Sequence, residues 1–110
     1  MDHMHYFTLE QREGLQRQLE ARAAVLRDEI GEDRLADLDA EPEAAALERD
    51  VVELRDVEHA LGRLHEPDFG ICPDCDGEIP FSRLSANPAA TRCVDCQVEF
   101  ERRQERRPAA

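Results

Sequence analysis

Four cysteines, Cys72, Cys75, Cys93 and Cys96, are the residues whose type and spacing point to a definite chemistry. They form two C-x-x-C pairs, CPDC and CVDC, with 17 residues between them. Each pair makes a tight turn that aims two sulfurs at one point. Two such turns close a tetrahedral thiolate shell around Zn²⁺, at about 2.3 Å per Zn–S bond. Four protein ligands leave no position for water, so the expected site holds one structural zinc and is not hydrolytic. Two disulfides or a thioredoxin-like redox pair are the competing readings. The redox reading also requires an α/β fold, which the helical patterns below do not support.

Nothing else in the chain resembles a reactive set. His3 and His5 fall in an N-terminal stretch expected to be disordered, His59 lies off the apolar seam of its helix, and His65 sits at a helix end. A shell filled by four sulfurs has no place for them. There is no plausible Ser-His-Asp set, Gly-rich phosphate loop or H-E-x-x-H. The protein is therefore read as non-enzymatic.

The 110 residues carry a formal net charge of −12, with four Phe, one Tyr and no Trp. So few aromatics imply a small core, and a chain of this size often relies on a metal or a partner. The acids are concentrated: Asp28 to Asp50 holds ten of them against Arg34 and Arg49. Such a surface repels phosphate backbones and disfavours direct DNA binding. The ordinary reading of such a run is a solvated helix-loop-helix, and the sharper one is a probe entering a basic or metal-containing cleft of a partner. The N-terminus MDHMHYFTLEQREG has no apolar stretch of the signal-peptide kind, and no run is long enough to span a membrane. A cytoplasmic protein is expected, where paired C-x-x-C motifs signal metal more often than disulfide.

The elements that position the cysteines are helical. A first helix is expected from about Thr8 to Asp33, with Thr8 and Gln11 forming a capping box. Leu15, Leu19, Ala23, Leu26 and Ile30 share one of its faces. A second helix is expected from about Glu43 to His65. Its seam is Leu47, Asp50, Leu54, Val57, Leu61 and Leu64, widened by Val51 and Ala60. Similar lengths and one apolar stripe apiece predict an antiparallel hairpin, a coiled coil folded on itself. A monomer is therefore expected in preference to a parallel homodimer. The break GEDRLADLDAEPE, bracketed by Gly31 and Pro42, reads as an acidic loop at the hairpin tip, about residues 31–43. Pro67 and Gly70 end the second helix and turn the chain into the cysteine segment. A last helix is expected over about Arg92 to Arg107, with arginines complementing its C-terminal dipole. The fold class is mainly α: residues 1–66 form the helical hairpin, and 67–110 a small four-cysteine zinc finger with a C-terminal helix.

The cysteine segment resembles the DksA/TraR family of bacterial transcription regulators. The resemblance is carried by DFGICPDC, EIPFSRLSANPAA and CVDC: Asp68, Phe69, Gly70, Arg83, Leu84, Ala86, Pro88 and Ala90 stand where the family pattern places them. The match covers about residues 66–97, and the upstream hairpin agrees in architecture. What the resemblance implies is a protein that binds RNA polymerase rather than DNA. In the family the zinc end docks at the rim of the secondary channel. The coiled coil projects inward, its acidic tip near the active site, and alters open-complex stability. On that reading Asp37, Asp39, Glu41 and Glu43 are the tip carboxylates that approach a Mg²⁺-bearing, basic interior.

Three departures shape the expectation. The family tip motif D-x-x-D-x-A is only partly matched: Glu41, Ala44 and Ala46 fit the frame, alanine replaces the second acid, and Asp37 and Asp39 are out of register. Asp76 follows Cys75 where the family has glycine, with Gly77 one place later. The basic positions that help longer members bind the alarmone ppGpp fall on Asp56, Asn87 and Gln97, so a weak or absent response is expected. The alternative function is a generic zinc-ribbon interaction module with another partner. A DNA-binding finger is disfavoured by the charge.

Overall fold

The computed structural model describes residues 7–40 and 48–105, apart from the side chain of Asp39. Its five helices are α1 (Leu9–Ile30), α2 (Glu32–Ala40), α3 (Arg49–Arg63), α4 (Phe81–Ala86) and α5 (Val94–Glu105). Among the described residues the β structure is a single antiparallel bridge, Ile71 with Glu78. No described helix is long and apolar enough to cross a membrane.

Local chemistry starts α1 where the capping residues stand. Thr8 accepts from the Gln11 N–H at 3.0 Å, and Gln11 Oε1 accepts from the Thr8 N–H at 3.0 Å. This reciprocal pairing satisfies two donors that have no partner inside the helix. Leu15, Leu19, Ala23 and Leu26 are buried along one face, as their spacing predicts, and Ile30 is half-buried. Gly31 stops the helix in the left-handed region, φ +89°, and its N–H returns to the Arg27 carbonyl at 2.9 Å. The first helix therefore ends three residues before the expected Asp33.

The expected tip loop is in large part helical. The Gly31 carbonyl accepts from the Leu35 N–H at 3.0 Å and begins α2. Glu32 and Asp33 occupy the first turn, where negative charge is favoured by the helix dipole. Leu35 packs against the hairpin core beside Ile30, which gives this acidic segment an apolar reason to stay helical. Arg34 then ion-pairs with Glu48 at the entry to α3. Glu41, Pro42, Glu43 and Leu47 lie outside the described residues, as do His3, His5, Arg106 and Arg107.

In α3 the buried line is Val51, Leu54, Val57 and Ala60, and Leu64 beyond it is fully buried. Asp50, assigned to the seam by heptad spacing, is exposed, and Val51 is buried instead. Asp50 stands in the first turn of α3, where solvent and the helix dipole favour a carboxylate, and its neighbour Val51 makes the apolar contact. The helices are antiparallel. Leu19, Ala23 and Leu26 pack with Leu54, Val57 and Ala60, whereas Leu15 and Leu64, from the start of α1 and beyond the end of α3, join a second cluster around the cysteines. Arg22–Glu53 at 2.5 Å and Arg27–Glu58 at 2.6 Å tie α1 to α3. Exposed pairs of this kind add little stability, so the apolar seam does most of the holding.

The second cluster is the base of the molecule: Phe7, Leu15, Leu64, Phe69, Cys72, Ile79, Leu84 and Ala90. Phe7 was not anticipated from sequence. It lies one residue before the helix cap, where an apolar side chain often folds back to fix the entering chain. Here its ring meets Phe69 edge-on at 5.9 Å and Phe81 at 5.8 Å, centroid to centroid. The ring also covers Gly70, where an added Cβ would sit 2.3 Å from Phe7 Cε2.

Gly70 has φ +89°, so a side chain there is strained by the backbone as well as by the ring. Gly70→Ala is expected to cost at least about 1–2 kcal/mol through the left-handed backbone alone. Chemical denaturation of the zinc-loaded protein measures the loss; an unchanged midpoint would contradict the packing described.

Candidate metal centre

The first cysteine pair sits on a tight backbone hairpin. The Ile79 N–H donates to the Gly70 carbonyl at 2.7 Å and the Cys72 N–H to the Gly77 carbonyl at 2.8 Å. Inside that loop the Asp76 N–H donates to the Cys72 carbonyl at 2.8 Å. The turn is possible because Asp76 takes φ +59°, a conformation that Asp tolerates better than most residues. The glycine expected at this place is thus replaced by an aspartate that keeps the left-handed backbone. Gly77 follows with little room: a Cβ there would lie 3.3 Å from Cys75 Sγ.

The second pair stands at the start of α5. Cys93 immediately precedes the helix, Cys96 lies in its first turn, and the Cys93 carbonyl accepts from the Gln97 N–H at 2.9 Å. Between the two pairs, Pro80 opens α4, which buries Leu84 against the base, and the chain returns through Asn87–Arg92. All four cysteines are free thiols, and their sulfurs lie within 4.8 Å of one another. Cys75 Sγ and Cys93 Sγ are 4.0 Å apart. A tetrahedron with 2.3 Å bonds has edges of about 3.8 Å, so the four sulfurs fit one zinc ion. When bound, the metal supplies structure and no open coordination position.

Electrostatics shows why four thiols in this space need a cation. Burial opposes ionisation of Cys72, yet hydrogen bonds from the backbone at Cys93, Cys75 and Asp74 outweigh it and bring its pKa down to about 6. Cys96 is displaced the other way, chiefly by its hydrogen bond with Cys93 and then by burial. One sulfur is prepared to be a thiolate, and its neighbours cannot all follow unless positive charge is supplied. A zinc ion held by Cys72, Cys75, Cys93 and Cys96 would supply that charge, and the thiol protons would be released as it bound.

Around the sulfurs, Arg92 Nε donates to Asp74 Oδ2 at 2.7 Å, and Arg83 Nε donates to the Arg92 carbonyl at 2.8 Å. Neither link was read from the sequence, because partners 18 and nine residues apart carry no local signal. The tip residues are placed elsewhere. Asp37 is on α2 with its side chain 71% exposed, 4.0 Å from Arg34. Asp39 is also on α2, while Glu41 and Glu43 lie outside the described residues. Asp56, Asn87 and Gln97, three positions far apart in the chain, line one groove of about 1020 Å³ between the hairpin and the cysteine segment. His59 lines this groove too and is not near the sulfurs.

Comparison with known proteins agrees with this geometry. Residues 67–102 match the family model described as the prokaryotic dksA/traR C4-type zinc finger. The RNA polymerase-binding transcription factor DksA of Salmonella typhimurium is 33% identical over a region covering 78% of this chain and 68% of that protein. The factor of the same name from Buchnera aphidicola is 39% identical over 46% of this chain. That match spans 34% of the Buchnera protein, about a third of its length. A solved structure of the RNA polymerase binding protein and transcriptional regulator Dks from Chlamydia trachomatis is also similar. It has a TM-score of 0.61 and 27% identity, over 87% of this chain and 93% of that one.

Two outcomes are expected at the centre. Cys72→Ser removes the buried ligand and should lower zinc content well below one ion per chain, with a loss of several kcal/mol in stability. Elemental analysis and thermal unfolding check it, and full zinc with an unchanged Tm would refute the assignment. Asp76→Gly should leave zinc content unaltered and raise stability by up to about 1 kcal/mol, because glycine adopts φ +59° without strain. A marked destabilisation in the same melt would show that the aspartate side chain has another role.

Proposed function

The chain belongs to the prokaryotic dksA/traR C4-type zinc finger family, and from that premise we propose that it is a cytoplasmic transcription regulator that binds RNA polymerase. It acts as a monomer, enters through the secondary channel and modulates initiation without specific DNA contacts or chemistry of its own. The observation that carries this reading is the likeness to the RNA polymerase binding protein of Chlamydia trachomatis along almost its whole length, together with four sulfurs placed to hold one zinc. A hairpin of helices, α1 packed on α3, standing on a metal-held base has the form of a probe. The acidic end of that probe, net negative from Asp28 to Asp50, suits a basic, Mg²⁺-bearing cavity better than it suits nucleic acid.

On this reading the tip carboxylates are Asp37, Asp39, Glu41 and Glu43. Asp37 is free to meet a partner, since its side chain is largely exposed and its one described ion pair is at the 4.0 Å limit. The helical form of α2 gives the tip a more rigid backbone than a loop would, and Leu35 anchors it to the hairpin. Alarmone response is proposed to be weak or absent. The positions that are basic in longer family members carry the acidic Asp56 and the neutral Asn87 and Gln97 here; of the arginines that also line the groove, Arg22 and Arg92 are paired with Glu53 and Asp74, leaving Arg63 and Arg83 as its other cations.

Retention on purified polymerase, followed by crosslinking from a photoreactive residue at position 39, tests the proposal. The expected result is stable retention and crosslinks to the interior of the secondary channel, mapped by mass spectrometry. Retention with crosslinks only outside the channel would overturn the mode of entry. Absence of retention would overturn the partner.

A further inference from the structure

The helix α5 is poorly supported for its length. None of its residues is buried, and Val94 and Val98 are 54% and 47% exposed. Two cysteines tie its first turn to the sulfur cluster, but attachment at one end leaves the direction of a 12-residue helix undetermined. Cys93, Cys96 and Phe100 fall at spacings of three and four, so they share a face. Phe100 stands about 6 Å further along the axis than Cys96. A contact there supplies the second point that a direction requires.

That contact is Arg92. Its guanidinium carbon lies 4.0 Å from the centroid of the Phe100 ring. The same group donates from Nε to Asp74 Oδ2 at 2.7 Å, on the first cysteine turn. Its main chain is held in turn, because its carbonyl accepts from Arg83 Nε on α4. One residue thus joins the first cysteine turn, α4 and α5. The pair with Asp74 is partly exposed, with side chains 23% and 30% accessible.

We infer that Arg92 is the positioning residue that sets the direction of α5, by clamping Phe100 to the first cysteine turn through Asp74. The groove between hairpin and C-terminal helix depends on that clamp, since Asp56 of α3 faces Gln97 and Glu101 of α5 across it. The clamp requires arginine. A planar group can present a donor edge to a carboxylate and a flat face to a ring at once, and a lysine ammonium cannot. The inference concerns the chain's own geometry and does not rest on the polymerase reading.

The test is the relative orientation of α3 and α5 in the zinc-loaded full chain, read from backbone amide residual dipolar couplings. The native protein is expected to fit one alignment tensor across both helices. In Arg92→Ala and in Phe100→Leu the α5 couplings should depart from the α3 tensor, with one zinc retained and α5 still helical. Arg92→Lys should not restore the fit. A lesion that only lowered stability would shift the melt without changing this orientation. Should Arg92→Ala lose its zinc, Phe100→Leu decides, because it leaves the Asp74 pair intact. Native orientation kept in Phe100→Leu, or restored by Arg92→Lys, would overturn the inference, as would a native protein that fits no common tensor.

Discussion

Four sulfurs confined within 4.8 Å can hold the charge of four thiolates only around a cation, and the rest of the molecule is arranged on that constraint. Cys72 is fully buried and belongs to the same apolar cluster as Leu15 and Leu64, the residues with which the hairpin meets its base. Cys93 and Cys96, partly buried, pack against that cluster. The four-cysteine site therefore adjoins the junction through Cys72, with Cys75 on its exposed side. The cysteine segment has only Phe69, Ile79, Leu84 and Ala90 as buried apolar residues besides Cys72, too few to order some thirty residues unaided. Structural zinc supplies on the order of 10 kcal/mol in modules of this kind, which is comparable to the whole stability of a small domain.

A base held in this way allows the hairpin to be chemically extreme. Its apolar seam is narrow, and nearly every other position is free to carry charge. Ion pairs such as Arg22–Glu53 align the two helices, and the surplus of acids collects toward the tip, away from the metal. Within the hairpin, Arg22 pulls the Glu53 carboxyl below its ordinary range through their hydrogen bond, a local effect on an exposed pair. The larger electrostatic feature is the sign of the field around α2. It turns away phosphate and favours basic or metal-bearing surroundings.

Much of this was legible in the sequence because the signals are local or periodic. Thr8 and Gln11 are three residues apart and describe their own hydrogen bonds. Leu15, Leu19, Ala23 and Leu26 reveal their face by spacing, and two C-x-x-C pairs announce a tetrahedral shell. Features that depend on distant partners were not legible. Phe7 carries no local signal, since the aromatic cluster it completes is with Phe69 and Phe81, more than 60 residues away. Segment 32–40 reads as a loop because Gly31 and Pro42, both breaker signals, bracket it. Packing of Leu35 on the hairpin, a tertiary contact, makes it a helix. Heptad counting puts Asp50 in the seam because spacing alone does not register that it stands in the first turn of α3, where a carboxylate stays in solvent. The Arg92 clamp is invisible for a similar reason: its three partners lie on three different elements.

The dependence of the base on its metal is tested most directly by amide hydrogen exchange of the full chain before and after zinc is stripped by a chelator. The informative amides are those of Cys72 and Ile79, which donate to Gly77 and Gly70 within the first cysteine turn. Their protection should vanish with the metal, and amides near Leu15 should weaken with them, while those around Leu19–Leu26 keep more of theirs. If the Cys72 and Ile79 amides remained as protected in the stripped protein as in the loaded one, the metal would not be what holds the base together.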